Sequence, residues 1–334
     1  MAELNITDPT LLDMVRRQDP DGSIAQIIEI LSKKNPILMD AVAKEGNLQT
    51  GHRFTTRNTE PALGWRRFND GVVPSKSTTT QYDESCGMLE GFSYVDCGLA
   101  ELNGNQAAFR ASEDKAFLSS MNKEVARALI YASVDDNPEE IHGLSTRYDT
   151  LTTPNVIDYS AMTGAVADSG ADSTSIWFVC WGEDTTYMIY PKGMNGGLVS
   201  EDLSKQIVDA GSSKKYTAWV THWKWNLGLC VQDRRQIARV CNIDSSAIQT
   251  ATDAEMAVLI NAMVKAYYRL YDPNAGRLSI YCNRVVAEAL HRGAMSKASS
   301  QLTLETFAGK PVTAFLGYPV RVVDAILNNE TSLV

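Results

Sequence analysis

The stretch Ala111–Val134, ASEDKAFLSSMNKEVARALIYASV, constrains this chain more than any other. Phe117, Met121, Val125, Ala128 and Ala132 recur at helical spacing, and Leu118 and Leu129 widen the apolar stripe. Ser112 suits an N-cap, because its hydroxyl can accept a hydrogen bond from an otherwise unpaired amide of the first turn. Glu113 and Asp114 then set carboxylates at the positive end of the helix dipole. Asn137-Pro138 supplies a stop, since proline lacks the N–H and clashes with the preceding turn. The pattern predicts one helix over residues 112–134, a rod roughly 35 Å long at about 1.5 Å per residue. The sequence before it reads as extended or arm-like, and the sequence after it as a mixed α/β body.

Upstream, Ser23 can cap a short helix carrying Ile24, Ile27, Ile28 and Leu31, closed by Asn35-Pro36. So short a helix needs a partner surface, supplied either by its own domain or by neighbouring subunits if residues 1–50 form an arm. A second apolar piece, Ile37–Val42, leads to Glu45-Gly46-Asn47. Residues 51–92 are rich in Thr, Ser, Arg and Gly, with few clustered apolar side chains. Asn69-Asp70-Gly71 is a strong turn signal, and its flanks Trp65–Phe68 and Ser77–Tyr82 have strand-compatible composition. The expectation is a long two-stranded loop. An isolated hairpin is only marginally stable in water, so this one is either a mobile surface loop or lies on another subunit. Docking on a neighbour explains the apolar Trp65 and Phe68 better, and makes Trp65, Arg66, Arg67 and Phe68 the candidate inter-subunit contacts.

Downstream, Pro138–Tyr148 reads as an irregular connector and residues 160–175 as a loop of small residues. Ile176–Trp181 and Thr185–Tyr190 around Gly182-Glu183-Asp184 read as a β-hairpin. In residues 216–231 the alternation is clear: Trp219, Trp223, Trp225, Leu227, Leu229 and Val231 on one face, His222, Lys224 and Asn226 on the other. A strand of this length extends about 50 Å, with Gly228 marking a bend or bulge. Thr252-Asp253-Ala254-Glu255 is a capping box for a helix burying Met256, Leu259, Ile260, Met263, Val264 and Tyr267. Leu278–Cys282 is a buried-type strand, Asn283 caps a helix over Arg284–Arg292, and Gly293 ends it. Thr313–Leu316 and Val320–Val323 form a strand pair around Gly317-Tyr318-Pro319.

Composition excludes several function classes. The 334 residues can bury a proper core in one elaborated domain or two modest ones. A net charge of −9 argues against a surface built to grip nucleic acid, which needs a clustered basic face. No run approaches the length of a membrane span, and the N-terminus lacks a signal-peptide layout, so a cytoplasmic origin is the default. The six cysteines are scattered without a C-x-x-C pair, which reads as buried free thiols rather than a zinc site. There is no G-x-S-x-G, Walker loop or G-x-G-x-x-G after a strand. Two E-x-x-H pairs exist, Glu139/His142 and Glu288/His291. A di-metal carboxylate site needs two such pairs plus two further glutamates facing into a helix bundle; a capping carboxylate and a solvated helix face suffice here. His222 among the tryptophans could suggest a stacking platform, but core packing explains the tryptophans better. Arg234, Arg235 and Arg239 form a local basic cluster, read as subunit salt bridges or a solvated face. The reading is therefore no catalytic residue, no cofactor and no metal.

The order of parts resembles the major capsid proteins of tailed bacteriophages, the Hong Kong 97-type α+β fold, and most of all those of short-tailed phages. The stretches that carry the likeness are Val95-Asp96 with Leu99-Ala100 and Asn103-Gly104-Asn105, Arg110, Leu129-Ile130-Tyr131, and Gly143-Leu144-Ser145 with Arg147-Tyr148. Ser175-Ile176-Trp177, Tyr190-Pro191-Lys192-Gly193, Trp225 with Gly228-Leu229, Arg239-Val240 with Asn242-Ile243-Asp244, and Leu316-Gly317-Tyr318-Pro319-Val320 continue it. The resemblance implies a structural protein that self-assembles as pentamers and hexamers into an icosahedral shell around double-stranded DNA. It implies an N-terminal arm over 1–50, an extended loop over 51–92, a peripheral domain over 93–150 with spine helix 112–134, and a body over 151–334. That body would include the axial domain, with room for a return to the peripheral domain near the C-terminus. Relatives often begin with a cleaved scaffolding segment; this chain has no room for one, so a separate scaffolding protein is expected. A portal, a decoration or cement protein, a virion location, and assembly in the host cytoplasm without a membrane complete the implied picture. Two alternatives stay open: an encapsulin-like nanocompartment shell, and a soluble α/β enzyme with residues 51–92 as a mobile lid.

Overall fold

A computed structural model describes residues 35–101, 106–164, 172–209, 214–295, 302–307 and 310–333. Its centre is strand β6 (Ser173–Trp181), buried at all nine positions. STSIWFVCW is an almost unbroken apolar or small-residue run, the pattern of a strand covered on both faces. Ile176, Phe178 and Cys180 face one core, while Trp177, Val179 and Trp181 face another. Both edges are taken as well. Antiparallel β10 (Ile237–Asp244) lies on one side and antiparallel β11 (Arg277–Cys282) on the other. Short β5 (Val156–Asp158) adds parallel to β10, and β14 (Tyr318–Val322) adds parallel to β11. Beyond β14 the sheet continues through β13 (Lys310–Phe315) to β12 (Leu302–Phe307).

Helices cover both faces. On the first, α5 (Ser245–Gln249), α6 (Asp253–Arg269) and α7 (Arg284–Met295) bury Ile248, Met256, Leu259, Ile260, Met263, Val286 and Leu290. The Thr252–Glu255 capping box is formed. Asn283 accepts from the Val286 amide at 2.8 Å and so caps α7, which runs on through buried Gly293 instead of stopping there. On the second face lies α3 (Gln106–Tyr131), burying Val125, Ala126, Leu129 and Ile130. This helix begins six residues before Ser112 and ends before Ala132, so Ser112 is interior and is not its N-cap. Ala107, Ala108 and Ala111 carry no side-chain entropy cost in a helix and extend it upstream. Its end is set by the returning chain rather than by Pro138: the Gly143 amide donates to the Ala132 carbonyl at 2.8 Å and the Leu144 amide to Leu129 at 3.0 Å. A Cβ on Gly143 would stand 2.8 Å from the Ala128 carbonyl oxygen, so only glycine allows this approach. The short α2 (Cys97–Glu101) precedes α3, and the one-turn α4 (Ser160–Thr163) follows β5.

The expected 176–190 hairpin is not formed. β7 (Thr186–Tyr190) touches β6 only at a parallel Trp181–Thr186 pair, because β6 has no free edge. β7 instead pairs antiparallel with the end of β9 (Lys215–Val231) and parallel with β1 (Ala43–Glu45). The long strand read from residues 216–231 is β9, 17 residues in length. It is flanked by antiparallel β4 (Gly87–Asp96) and β8 (Gly197–Asp209), which makes a three-stranded ribbon leading away from the body. Gly228 sits where β9 enters the body, and a Cβ there would lie 2.7 Å from the Ser85 carbonyl oxygen.

The one-turn α1 (Ile37–Asp40) packs on the body of its own chain. Ile37 is buried in the second core, and the buried Asp40 accepts from the Tyr281 hydroxyl at 2.8 Å and pairs with Arg277 and Arg321. The helix read over Ile24–Leu31 lies outside the described residues. At the other end of the chain, the Leu316-Gly317 turn joins β13 and β14 with both residues at positive φ, the twist that two-residue hairpins require.

Arg239 departs from the expected surface cluster. Strand alternation turns it inward, over the Trp177 ring, where it pairs with Glu330 at 2.8 Å and donates to the Tyr148 carbonyl and Ser175 Oγ. Glu330 also accepts from the Ser175 and Tyr131 hydroxyls, so one buried carboxylate joins β6, β10 and α3. Glu330→Ala leaves the guanidinium buried without its counter-charge and is expected to cost about 3–5 kcal/mol. The urea midpoint of the unassembled subunit measures this. A shift equivalent to under about 1 kcal/mol would remove the pair from the list of stabilising contacts.

Candidate assembly surface

The surface that stands apart is a second, two-stranded sheet. β2 (Gly51–Thr59) and β3 (Thr78–Ser85) pair antiparallel from Gly51–Ser85 outward, with a register shift between Arg57 and Thr59. Only its base meets an apolar cluster, where Phe54 packs against the group of Tyr187, Ile189 and Cys230, so further out cross-strand side-chain pairs carry the ladder. Arg53 makes two bonds to Asp83, at 2.6 and 2.7 Å, and Phe54 stacks on Tyr82. Further out, Asn58 donates to Thr80 Oγ1, and the Thr59 and Thr78 hydroxyls meet. The Arg53–Asp83 bond holds the Asp83 carboxyl below its ordinary range and raises the guanidinium. At the base the hairpin is fixed more firmly. Arg147 donates two buried hydrogen bonds to the Glu84 carboxylate, at 2.5 and 2.7 Å, and also donates to the carbonyls of Gly143, His142 and Leu229.

Residues 60–77 at the tip lie outside the ladder. The turn falls where expected, with Asn69 at φ 62° and the Asp70 amide donating to the Arg67 carbonyl. Trp65–Phe68 is not a strand, however. The register shift ends pairing at Thr59–Thr78, and strand-favouring side chains without a partner strand do not make one. The structure places Trp65, Arg66, Arg67 and Phe68 together and exposed, with Leu63 and Val73 beside them in the chain. Trp65 is fully exposed and Phe68 is 97% exposed. Fully burying one such side chain is worth roughly 1.5–3 kcal/mol, a driving force for association that the described residues of its own chain do not use. Leu63 and Val73 escaped the sequence reading because no periodicity marks them; only their shared exposure does.

Elsewhere the polar groups serve structure. Arg110 pairs with Asp202 at 2.9 Å, lies over the Trp219 ring and donates to Thr221, fastening α3 to the ribbon. Trp223 is buried, while Trp219 and Trp225 are partly buried against the helical side. On the other face His222 stacks on Phe92 at 4.3 Å and meets Glu90. Bonds from Lys224 and then His222 hold the Glu90 carboxyl below its usual range. The E-x-x-H histidines engage locally. His142 Nδ1 accepts from the Val134 amide, and His291 lies 3.0 Å from the Thr313 hydroxyl. Among the described residues no three His, Cys, Asp or Glu side chains gather as a metal site would require. Cys180, Cys230, Cys241 and Cys282 are buried and free, and burial pushes the Cys241 and Cys282 thiols up to about 12. Among the described residues no helix is long and apolar enough to cross a membrane.

Comparison with known proteins identifies relatives. The family described as major capsid protein GP7 matches residues 19–334. A protein in the structure of bacteriophage Epsilon15 is 35% identical and superposes with a TM-score of 0.80, covering 100% of this chain and 99% of that one. The capsid of a native GTA particle is 9% identical with a TM-score of 0.43, covering 66% and 92% of the two chains. The encapsulin SrpI of Synechococcus elongatus is 9% identical with a TM-score of 0.41 over the same shares. No curated protein matches.

Because the tip side chains touch no core, Trp65→Ala with Phe68→Ala is expected to leave subunit stability unchanged within about 0.5 kcal/mol while impairing association. Thermal unfolding and sedimentation of the double variant separate the two effects. Loss of the folded subunit would place these rings in an internal core instead.

Proposed function

The chain belongs to the GP7 family of major capsid proteins, and from that premise we propose how its parts build a shell. It is the structural subunit of a phage virion, with the Hong Kong 97-type mixed α/β fold, and it assembles into an icosahedral shell that encloses the double-stranded DNA genome. Its subunits associate as pentamers and hexamers. Residues 51–92 act as the extended loop laid over a neighbouring subunit, and residues 1–50 act as the arm that reaches adjacent subunits. Helix α3 serves as the spine of a peripheral domain that takes in residues 93–150, and the later α/β body supplies the axial domain near the symmetry axes. A net charge of −9 suits a container for DNA, since a lining that neutralised many phosphates would bind the genome tightly and hinder its movement.

The observation that carries this reading is the hairpin itself. Its base is anchored by a buried ion pair, its shaft by cross-strand pairs, and the apolar side chains of its tip stay exposed among the described residues. A patch of exposed aromatic and basic side chains has the composition of an interface core. A scaffolding protein during assembly, a portal, and a decoration or cement protein complete the proposed set of partners. The chain's role is structural, and we assign it no chemistry.

The test is light scattering followed by electron microscopy of the purified protein, alone and with its candidate scaffolding protein. Closed shells, tubes, or pentameric and hexameric rings are expected. In parallel, a protease should cut within residues 51–92 of the free subunit and leave the same bonds intact after assembly. A monodisperse monomer in the presence of scaffold, or equal cleavage in both states, would overturn the assignment of the loop.

A further inference from the structure

The direction in which the hairpin leaves the body is set over a few residues at the start of β2. Gly51 is the fixed point, buried and so close to β3 that a Cβ there would stand 1.9 Å from the Glu84 carbonyl oxygen. His52 is the first side chain beyond it. The preceding loop folds back onto this part of the strand. The Leu48 amide donates to the Gly51 carbonyl at 3.1 Å, and the Asn47 side chain makes two bonds of 2.7 Å with the backbone of Arg53. A further contact runs through His52 itself. Its Nδ1 accepts from the Asn47 amide at 3.3 Å, so that nitrogen carries no proton and the neutral ring holds its proton on Nε2.

The surroundings of the ring favour that neutral form. His52 is half-buried and packs T-shaped against Tyr187, with centroids 5.8 Å apart. Lys44 on β1 stands over the same Tyr187 ring at 5.2 Å, so a protonated His52 would share the site with a cation. On the opposite strand Glu84 favours the charged ring, but its carboxylate is already held by Arg147. The other titratable groups here are the Tyr187 hydroxyl and, behind it on β9, the Cys230 thiol. Burial holds the first well above its usual range and pushes the second up to about 11, so neither changes charge near neutral pH. Burial first, and Lys44 second, hold the His52 pKa below the ordinary histidine value of about 6.5. The neutral ring therefore stabilises the root fully above about pH 6.5, and that contribution is lost as pH falls through the lower, folded-state value.

We propose that His52 is a proton-sensitive latch for the hairpin root: neutral, it ties β2 to the loop over residues 46–50; protonated, it releases that loop and frees the hairpin to change its angle to the body. A proton on Nδ1 turns the acceptor into a donor facing the Asn47 N–H, and sets a positive ring beside Lys44. The Glu84–Arg147 pair keeps the hairpin attached, so the event is a local loosening rather than loss of the strands. A role for the latch in assembly rests on reading residues 51–92 as a loop laid over a neighbour; the latch itself does not.

The test uses the unassembled full-length subunit. Nuclear magnetic resonance of ring-labelled histidine should give His52 a titration midpoint below about 6.5, and Lys44→Gln should move it upward. A midpoint at or above that value, or one indifferent to Lys44→Gln, would overturn the proposal. Hydrogen exchange, corrected for its intrinsic pH dependence, then reads the root over the pH range in which β6 stays protected. From about pH 7.5 to about pH 5, protection of residues 47–56 should fall about tenfold in the wild type, the linkage of about one pKa unit. It should stay unchanged in His52→Gln, whose side-chain oxygen still offers Asn47 an acceptor. Equal loss in both proteins, or none in either, would overturn the latch and leave loop docking untouched. Failure of docking in the protease test would in turn leave these titrations standing.

Discussion

Everything in the body follows from one strand that has no side left for water. β6 is covered on both faces and paired on both edges, so each neighbouring element must supply apolar surface or a hydrogen-bonding edge in a fixed place. Helices α5, α6 and α7 meet Ile176 and Phe178, and α3 with the end of β9 meets Trp177 and Trp181. The same constraint explains the few buried charges. Arg239 and Glu330 are tolerable because each satisfies the other and the remaining bonds go to Tyr148, Ser175 and Tyr131. An ion pair of this kind is weak evidence for stability in itself. Its use here is positional, since a carboxylate near the chain's end must find one site among β6, β10 and α3.

Local patterns were legible in the sequence where local physics decides. The long helix, the 17-residue strand, the Thr252 capping box and the Asn283 cap all rest on interactions within a few residues, and each is present. The errors have a common origin in distant partners. Trp181 and Thr185 flank a turn that suits a hairpin, but whether a hairpin forms depends on the edges of β6, which are occupied by residues about 60 and 100 positions later. Arg239 reads as a surface residue because a single arginine carries no sign of the glutamate 91 residues downstream. Ser112 looked like a cap because serine favours one, yet alanines on the other side continue the helix and Gly143 decides its end.

The candidate site divides in the same way. Residue type and the lack of a core marked residues 51–92 as a loop, and the turn at Asn69 was readable from its dipeptide. The tip's isolation was not, because exposure is a property of what fails to lie nearby. Nor could the anchoring of the base be read, since Glu84 and Arg147 are 63 residues apart. A hairpin that is rigid at its root and unpartnered at its end is poorly suited to a lid, which must close on its own molecule. It is well suited to a subunit whose stability is completed by its neighbours.

The length of β9 has a mechanical consequence. From Gly228, locked against Ser85 and Ile189, the ribbon reaches out to Lys215 over roughly 40 Å at about 3.3 Å per residue. A tilt of about 5° at that root sweeps the far end through roughly 3–4 Å, the arm length multiplied by the angle. Identical subunits in pentameric and hexameric surroundings must differ in angle, and a stiff arm of this length turns a difference too small to disturb the packing around β6 into a shift of about one side chain at its far end.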